Sequence, residues 1–457
     1  MVRLFHVYYP VRTLVLFAGE ALVVSASFVL AAVLILGQDS MLVLGYEDGF
    51  LKILGITAIA LLCSYYFDLY GPQLIASSGE TYFRLMVVLS VLSFMLAGIS
   101  YFFPDFIIGQ DVFLYGLIIL TVFLMIWRSA YGWLIRQPFL QERVYVLGAG
   151  DRATRLVEAL RAQKDWGMDV IGWAGAIGNG SLTREEFAKN LSSLAQRGSV
   201  DRIIVAMGDR RGTMPVRELL DLRLNGIKIE EANTLLEKIS GRIEVEDLHP
   251  SSLIFSEGFR VNAFNLATRR AVSIAASMVG LTLALPLMPI LALLIKLDSA
   301  GPVFFKQERV GRKGKVFKVY KFRTMRQDAE AGGAKWAGSN DPRITRIGNF
   351  LRKTRLDEIP QLWNVLIGDM GFVGPRPERP EFVQWLAEAI PYYNMRHIIR
   401  PGLTGWAQVR YEYGASLEQT REKLQYDLYY IKHMSLSLDL LIAFETIKIV
   451  LLRRGSR

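Results

Sequence analysis

Two adjacent carboxylates, Asp357 and Glu358, stand at the start of the most polar part of the chain. Pro360 follows them, and because proline is tolerated in the first turn of a helix, the pattern predicts a helix that begins here and continues over Gln361–Leu366. An N-terminal helix position favours the charged form of a carboxylate and favours nearby phosphate groups. Asp357 therefore suits a nucleophile or a metal ligand. Taken alone, however, the two residues are better explained as an ordinary N-cap and a first-turn acid.

Basic residues crowd the same segment and change that balance. Arg376 lies between two prolines in Gly374-Pro-Arg-Pro377, which fixes a guanidinium fork suited to phosphate. The run from Lys318 to Arg323 alternates basic and apolar residues, as in a strand with one cationic face. Carboxylates for Mg²⁺ among cations for a diphosphate are expected at a phosphoryl-transfer site, although a basic face bound to lipid headgroups explains each cation taken singly. The remaining cations are Arg343, Arg346, Arg352, Lys353 and Arg355.

A glycine turn upstream has the spacing of a nucleotide-binding loop. Gly148-Ala-Gly-Asp-Arg-Ala153 fits the G-x-G-x-x-A variant of the dinucleotide fingerprint, and the alternating elements around it predict a Rossmann-like α/β domain. The sequence contains no Tyr-x-x-x-Lys pair, and no acidic residue ends the second predicted strand, which argues against redox chemistry. Gly148 and Gly150 either bind a nucleotide or form the turn of a regulatory or structural domain. The predicted elements are a strand from Arg143, a helix over Thr154–Gln163, and strands at Val170–Trp173 and Asp201–Met207.

The composition places part of this chain in lipid. Apolar residues make up 52% of the 457 residues and charged residues only 21%, which is more apolar than a soluble protein of this size. The formal net charge of +10 suits an anionic membrane face or a phosphate-ester substrate. Much of the basic charge adjoins apolar segments, which favours these partners over nucleic acid. The single cysteine, Cys63, excludes an intrachain disulfide and fits a reducing compartment.

Four apolar segments are near the ~20 residues that cross a bilayer. Basic residues precede the first segment and follow the last one, while the loops after the first and third segments are acidic. The positive-inside rule therefore places both ends of this predicted bundle in the cytoplasm. The alternative, a buried soluble four-helix core, does not account for the charge asymmetry. The predicted spans are Leu14–Leu36, Phe50–Phe67, Leu85–Phe103 and Val112–Ile135.

A further apolar run, Ala271–Ile295, is long enough to span but is interrupted by Pro286 and Pro289. Proline inside a helix removes a backbone donor and clashes with the preceding turn, so a break is expected. Arg269 with Arg270 on one side and Lys296 on the other would keep both ends on one face of the membrane. These facts favour a re-entrant helix over a fifth transmembrane helix.

Three regions follow from these patterns. Residues 1–138 are predicted to form a four-helix transmembrane domain, and residues 139–260 a Rossmann-like α/β domain that is regulatory. Residues 261–457 form the third region, which is predicted to be mainly α-helical and whose re-entrant helix spans residues 269–296.

The motifs of the third region resemble the catalytic domain of the monotopic phosphoglycosyl transferases, the bacterial initiating sugar transferases. The order of the motifs makes the resemblance specific, and the preceding two regions are similar to the large form of that family. A weaker similarity, in Tyr411-Glu-Tyr-Gly-Ala415, is to the subgroup associated with exosortase-type exopolysaccharide clusters. The matching motifs include Val319-Tyr-Lys-Phe-Arg-Thr-Met325, Asp341-Pro-Arg-Ile-Thr-Arg346, Leu356-Asp-Glu-Ile-Pro-Gln-Leu362, Val373-Gly-Pro-Arg-Pro377, Arg400-Pro-Gly-Leu-Thr-Gly405 and Tyr426-Asp-Leu-Tyr-Tyr430.

The resemblance implies an activity and a set of roles. The enzyme would transfer a hexose-1-phosphate from a UDP-sugar to undecaprenyl (polyprenyl) phosphate and release UMP, as the first membrane step of exopolysaccharide synthesis. Asp357 would be the nucleophile of a covalent aspartyl-phosphosugar intermediate and the Mg²⁺ ligand, and Glu358 would complete the catalytic pair. Leu285 and Pro286 would form the re-entrant break. The expected substrate-binding residues are Lys321, Arg323, Arg352, Arg376, Arg400 and Asp427.

The same resemblance implies a location and a partner. It places a multi-pass protein in the bacterial inner membrane, with the catalytic domain facing the cytoplasm, and it suggests a homodimer. A membrane-anchored nucleotide-sugar dehydratase also joins four spans to a Rossmann domain, but it would need the missing Tyr-x-x-x-Lys pair. A non-enzymatic membrane scaffold that senses a nucleotide remains the other alternative.

Overall fold

The computed structural model describes residues 1–71, 78–106, 108–148, 150–162, 166–173, 200–207, 214–246, 248, 250–255, 258–259, 262–329, 341–411 and 416–452. They form two compact units. The first consists of Met1–Arg3 and Tyr8–Leu235, and the second of Leu4–Val7 and Leu236–Arg457. The division into three domains stays a prediction. A short pair of strands, β1 (Val2–Leu4) and β2 (Val7–Tyr9), opens the chain.

The first unit contains helices long and apolar enough to cross a membrane. In the described residues there are four of them, Val11–Tyr46, Gly49–Tyr66, Gly79–Phe102 and Gln110–Ile135, which confirms the four predicted spans. Their shared core is almost wholly aliphatic, with Phe28 fully buried among leucine, isoleucine and alanine side chains. The helices are α1 (Val11–Leu36), α2 (Ser40–Tyr46), α3 (Gly49–Tyr66), α4 (Ser78–Phe102) and α5 (Gln110–Ile135).

One ion pair is buried among these apolar helices. Glu20 of α1 pairs with Arg128 of α5, and their side chains are only 2% and 5% exposed. The Tyr70 hydroxyl donates to the Glu20 carboxylate at 2.5 Å, and Arg128 Nη1 donates to the carbonyl of Leu69 at 2.8 Å. A buried charge is tolerated when it is paired and hydrogen-bonded. The pair therefore fixes α1 against α5, and its hydrogen bonds hold the segment that follows α3 at Leu69 and Tyr70.

A parallel sheet follows the fifth helix in the first unit. Its described strands are β3 (Glu142–Leu147), β4 (Met168–Trp173), β5 (Arg202–Val205) and β6 (Lys228–Glu231), in the order β4-β3-β5-β6. The three predicted strands are confirmed. β6 was not predicted because Lys-Ile-Glu-Glu lacks an apolar alternation. Of the described helices, α6 (Asp151–Ala162) and α7 (Val216–Leu224) lie between strands along the chain, and α8 (Ala232–Ser240) follows β6.

The glycine turn between β3 and α6 is tight at its first glycine. Gly148 has a φ of 148°, and a Cβ placed there would lie 2.6 Å from the carbonyl carbon of Ala206. Only glycine fits such a close approach of two strands. Ala149, inside the same fingerprint, lies outside the described residues. The turn therefore has a structural need for Gly148, and nucleotide binding at Gly148 and Gly150 stays a prediction.

The second unit begins with short α9 (Pro250–Phe255) and then contains a bent pair of helices. α10 (Ala263–Ala284) and α11 (Leu287–Asp298) are inclined by 62° across the break at Leu285 and Pro286. Pro289 causes no second break because it lies in the first turn of α11, where its missing N–H is not needed. At the base of α10, Arg269 pairs with Asp439, and Arg270 donates to the carbonyl of Leu366 at 2.7 Å. Such a pair is one broken span or a re-entrant loop.

The rest of the second unit consists of short elements. An antiparallel hairpin joins β7 (Phe304–Val310) to β8 (Val316–Phe322), and a parallel pair joins β9 (Gly371–Val373) to β10 (Gly402–Thr404). The unit is mainly helical, as predicted. Its other helices are α12 (Arg346–Thr354), α13 (Gln361–Ile367), α14 (Pro380–Ala389), α15 (Trp406–Arg410), α16 (Leu417–Lys432) and α17 (Leu436–Leu451).

Candidate active site

The carboxylate pair lies on a short 3₁₀ turn between α12 and α13. After α12, Arg355 adopts a left-handed φ of 55°, and the 3₁₀ turn Leu356–Glu358 follows at once. Pro360 is the residue before α13, so the helix predicted over Gln361–Leu366 is present, but it begins one turn after the carboxylates and not at them. The Asp357 and Glu358 residues are each only 8% exposed. Two carboxylates so close together and so little hydrated need cations nearby.

Glu358 has those cations as direct partners. Lys321 Nζ of β8 lies 3.1 Å from Glu358 Oε1, and Arg376 Nη2 donates to the same oxygen at 2.5 Å. Burial disfavours the charged carboxylate, but the charges of Arg376 and Lys321 outweigh it and hold the pKa of Glu358 below its usual value. Burial also lowers the pKa of Lys321, although Glu358 opposes that shift. Glu358 therefore stays ionised and holds two cations in place.

Asp357 is in the opposite situation. Among the described residues, no hydrogen bond or ion pair reaches its carboxylate. Burial, and then the adjacent charge of Glu358, raise the pKa of Asp357 to about 6. A helix start favours the charged form of a carboxylate, which would lower the pKa of Asp357. The shift has the opposite direction because burial of the carboxylate outweighs the dipole of the seven-residue helix α13. Asp357 thus combines low solvation with a carboxylate that no described residue hydrogen-bonds, and both properties suit a nucleophile.

Three of the predicted substrate-binding residues lie around this pair. Lys321 and Arg376 contact Glu358, and the positive charge of Arg352, in the last turn of α12, acts on Asp357. The prediction of one cationic face on the strand was wrong. Because side chains alternate along a strand, Lys318 is exposed on one face while Lys321 is on the other face with the carboxylates. The site therefore draws one lysine from β8.

The other three predicted residues have different partners. Arg323 is buried and donates to the carbonyls of Ser299 and Ala300, both at 2.6 Å, just after α11. Asp427 is buried and pairs with Arg396 at 3.0 Å. Burial and the charges of two further arginines lower the pKa of Arg400. Their substrate roles stay predictions, and the described contacts do not bring them to the carboxylate pair.

Asn364 supports the site and was missed by the sequence reasoning. Its side chain is fully buried, accepts from the backbone N–H of Tyr320 at 3.0 Å, and donates to the carbonyl of Lys318 at 2.7 Å. One amide on α13 thus makes the two backbone hydrogen bonds that a neighbouring strand would make to β8. It thereby fixes the strand that carries Lys321. An asparagine inside a helical pattern gives no local signal of a partner 46 and 44 residues away.

We expect Asn364→Asp to destabilise the second unit by about 2–4 kcal/mol, because a carboxylate would face the Lys318 carbonyl without a proton to donate and would be buried without a cation. Thermal unfolding of the detergent-solubilised protein, followed by tryptophan fluorescence, measures this. Asn349→Asp, on an exposed position of α12, is the matched control. An Asn364→Asp protein that melts together with the control would contradict the role given to Asn364.

The donor set around Asp357 fits a magnesium ion better than a transition metal. Across the described ranges, no group of three or more His, Cys, Asp or Glu side chains is placed to hold a metal. Mg²⁺ is usually held by one or two carboxylates together with substrate phosphates and water, so it needs no such group. Of the two carboxylates, Asp357 would be the one to hold this ion, because Lys321 and Arg376 already contact Glu358.

The comparisons with known proteins bear on the same region. The family model described as "Bacterial sugar transferase" matches residues 264–453, which contain the whole carboxylate site. The UDP-glucose:undecaprenyl-phosphate glucose-1-phosphate transferase of Escherichia coli (strain K12) is 32% identical over 369 residues, covering 77% of each chain. The protein belongs to the bacterial sugar transferase family. The resemblance drawn from the sequence motifs, to the monotopic phosphoglycosyl transferases, is thereby confirmed.

Other relatives of this sugar transferase match a smaller share of the chain. The UDP-N-acetylgalactosamine-undecaprenyl-phosphate N-acetylgalactosaminephosphotransferase of Aeromonas hydrophila is 44% identical over 241 residues, 53% of this chain and 56% of the relative. The chain thus spans little more than half the length of that relative. The exopolysaccharide production protein PSS of Rhizobium leguminosarum bv. phaseoli is 44% identical over 189 residues, 40% of this chain and 94% of the relative. With four apolar helices besides, this sugar transferase is a membrane protein.

Proposed function

We propose that this sugar transferase moves a hexose-1-phosphate from a UDP-sugar to a polyprenyl phosphate and releases UMP, as the first membrane step of exopolysaccharide synthesis. The observation that carries the proposal is the buried carboxylate of Asp357, which accepts no hydrogen bond from a described residue, beside a glutamate held by two cations. The relatives named for undecaprenyl-phosphate sugar transfer support it, and so does the family model, whose match over residues 264–453 includes this pair.

The first step would be attack by a carboxylate oxygen of Asp357 on the sugar-linked phosphorus of the UDP-sugar. The new bond joins that oxygen to phosphorus, the bond from phosphorus to the bridging oxygen breaks, and UMP leaves with the bonding electrons. Arg376 and Lys321 offset the negative charge that grows on the diphosphate oxygens. Asp357 would also hold Mg²⁺, which would supply further charge neutralisation on the diphosphate when bound.

In the second step an oxygen of the polyprenyl phosphate attacks the same phosphorus. The bond from Asp357 to phosphorus breaks, the carboxylate is regenerated, and the product is a polyprenyl diphosphate sugar. Dividing the reaction in two lets two anionic substrates use one set of cations in turn. Glu358 would act mainly by holding Lys321 and Arg376, because one of its oxygens accepts from both.

A panel of UDP-sugars incubated with undecaprenyl phosphate, and scored for UMP release, tests this function. We expect UMP release with at least one UDP-hexose. Without the lipid phosphate, release should stop after one UMP per enzyme molecule, and with it release should continue over many turnovers. Release of no UMP with any sugar, together with bound NAD in the purified protein, would instead favour the dehydratase alternative.

The membrane arrangement is part of the proposal. We propose that α10 and α11 form a re-entrant helix broken at Leu285 and Pro286, with the second unit in the cytoplasm beside the inner membrane. The 62° bend supports this, as do the contacts of Arg269 and Arg270, which tie the base of α10 to other parts of the same unit. The parallel sheet of the first unit would be a Rossmann-like domain with a regulatory role.

This arrangement predicts that positions 264 and 300, on either side of the bent pair, are labelled from the same side. After Cys63 is replaced, single cysteines at the exposed Phe264 and Ala300 should both react with a membrane-impermeant maleimide only in inside-out vesicles. Pro286→Ala should shift labelling at position 300 toward the periplasmic side, because an unbroken helix can span. Periplasmic labelling of position 300 in the protein with Pro286 intact would refute the re-entrant arrangement.

A further inference from the structure

The loop that carries Arg376 is held by its carbonyl oxygens. Both neighbours of Arg376 are prolines, which have no backbone N–H, so carbonyls are the main backbone groups available to fix this loop. Each of the four carbonyls from Pro375 to Glu378 accepts a hydrogen bond. The donors are Gly402 N to Pro375 O at 3.0 Å, Arg396 Nη2 to Arg376 O at 2.8 Å, Arg309 Nη1 to Pro377 O at 3.1 Å and Val310 N to Glu378 O at 2.8 Å.

The donor to Arg376 itself is a buried arginine with its own supports. Arg396 is 8% exposed, and its Nη1 donates to the Tyr393 hydroxyl at 2.7 Å. Its charge is balanced by Asp427, whose Oδ2 lies 3.0 Å from Nη2 and which is only 2% exposed. A buried pair of this kind costs desolvation free energy, so it is expected where it fixes a geometry that apolar residues cannot fix.

We infer that Arg396, oriented by Asp427 and Tyr393, is a positioning residue that fixes the backbone of Arg376 for phosphoryl transfer. The inference rests on the proposed function. Arg396 touches no substrate; it holds the Arg376 carbonyl so that the Arg376 guanidinium stays beside Glu358 and meets the donor diphosphate without rearrangement. Preorganised charges stabilise a transition state more than mobile ones do. Asp427 acts through Arg396 and Arg376, and not as a ligand of the substrate.

The second unit contains a matched control for this arginine. Arg269 is 9% exposed, pairs with Asp439 and donates to the Tyr430 hydroxyl, so its surroundings closely resemble those of Arg396. Arg269 donates to none of the four carbonyls from Pro375 to Glu378. Substitution of either arginine by methionine removes the ion-pair partner of one buried aspartate, and both variants should lose stability. Only loss of Arg396 should reach Arg376.

The test is a double-mutant cycle on the full-length enzyme in detergent, with kcat and donor KM measured separately. Arg396→Met should lower kcat roughly 10–100-fold with little change in donor KM, the size of loss that a misplaced catalytic group causes. In the Arg376→Ala background, Arg396→Met should lower kcat by less than about threefold, because the Arg376 guanidinium through which Arg396 acts is absent. Arg269→Met should leave kcat per folded enzyme within about threefold.

Equal losses from Arg396→Met with and without Arg376 would overturn the inference, as would an unchanged kcat. If Arg396→Met does not fold, Arg396→Lys keeps the charge beside Asp427 but cannot make all three contacts, and the same cycle applies. Hydrogen exchange of the peptide over residues 374–379 gives a readout without turnover: we expect faster exchange in the Arg396 variants than in Arg269→Met. No UMP release by the native enzyme would count against the proposed function, whereas equal exchange in both variants would count against the inference alone.

Discussion

Asp357→Asn is expected to lower turnover by at least about 10³-fold, because an amide oxygen cannot replace a carboxylate as the nucleophile of a covalent step. The replacement keeps the shape of the side chain. In the native protein no described residue hydrogen-bonds the Asp357 carboxylate, so no contact is lost and the fold should be retained. Removing a buried negative charge beside Glu358 should even raise thermal stability slightly, because burial and the Glu358 charge both disfavour an ionised Asp357.

Intact-mass analysis gives the decisive measurement. Native enzyme incubated with the donor UDP-sugar and no lipid should gain the mass of one hexose phosphate, and the Asp357→Asn enzyme should gain none. Asp328→Asn, at an exposed aspartate of the same unit, is the control and should behave like the native enzyme. An Asp357→Asn enzyme that still forms the adduct, or that turns over at a near-native rate, would remove Asp357 from the mechanism.

Glu358→Gln should have the second-largest effect, a loss of roughly 10²–10³-fold in kcat. The neutral amide cannot balance Lys321 and Arg376, which both contact Glu358 Oε1, so these cations should move apart. Loss of the adjacent charge should also lower the pKa of Asp357, because the Glu358 charge is one of the two causes that raise it. The nucleophile therefore stays ionised in this variant, and the loss is assigned to the displaced cations.

Steady-state kinetics with Glu381→Gln as the control, an exposed glutamate of α14, checks this expectation. The donor KM should change less than kcat, since the freed cations can still attract a diphosphate. If Glu358→Gln kept kcat within about threefold of the control, holding Lys321 and Arg376 would not be the task of Glu358.

The sequence predicts those parts of this protein that depend on neighbours along the chain. The four apolar spans, three strands of the parallel sheet and the helix over Gln361–Leu366 all follow from local periodicity and proline position, and the structure confirms them. Strand β6 was missed because its sequence carries more charge than apolar character. The bend at Leu285 and Pro286 follows from proline chemistry, which is also local.

Features that depend on distant contacts could not be predicted. The alternation from Lys318 to Arg323 predicts a strand, but only the packing of β8 against Asn364 and Glu358 decides that Lys321 faces the carboxylates. The pKa of Asp357 shifted opposite to expectation because burial is a tertiary property. For Asp427, the motif match predicts contact with the substrate. Its ion pair with the buried Arg396 cannot be predicted from the spacing of residues along the chain.

The pairing of Glu20 with Arg128 has a consequence for the synthesis of the protein. Glu20 leaves the ribosome with the first apolar helix, whereas its cation arrives only with the last helix of the bundle. An unpaired carboxylate within a hydrocarbon layer is unfavourable, so α1 is not stably packed in the membrane until α5 has been synthesised. The helices of the bundle should therefore reach their final packing together, after α5 has been inserted. A chain truncated after α4 should be degraded faster than one truncated after α5. Introducing Glu20→Gln into the shorter chain should lengthen its lifetime.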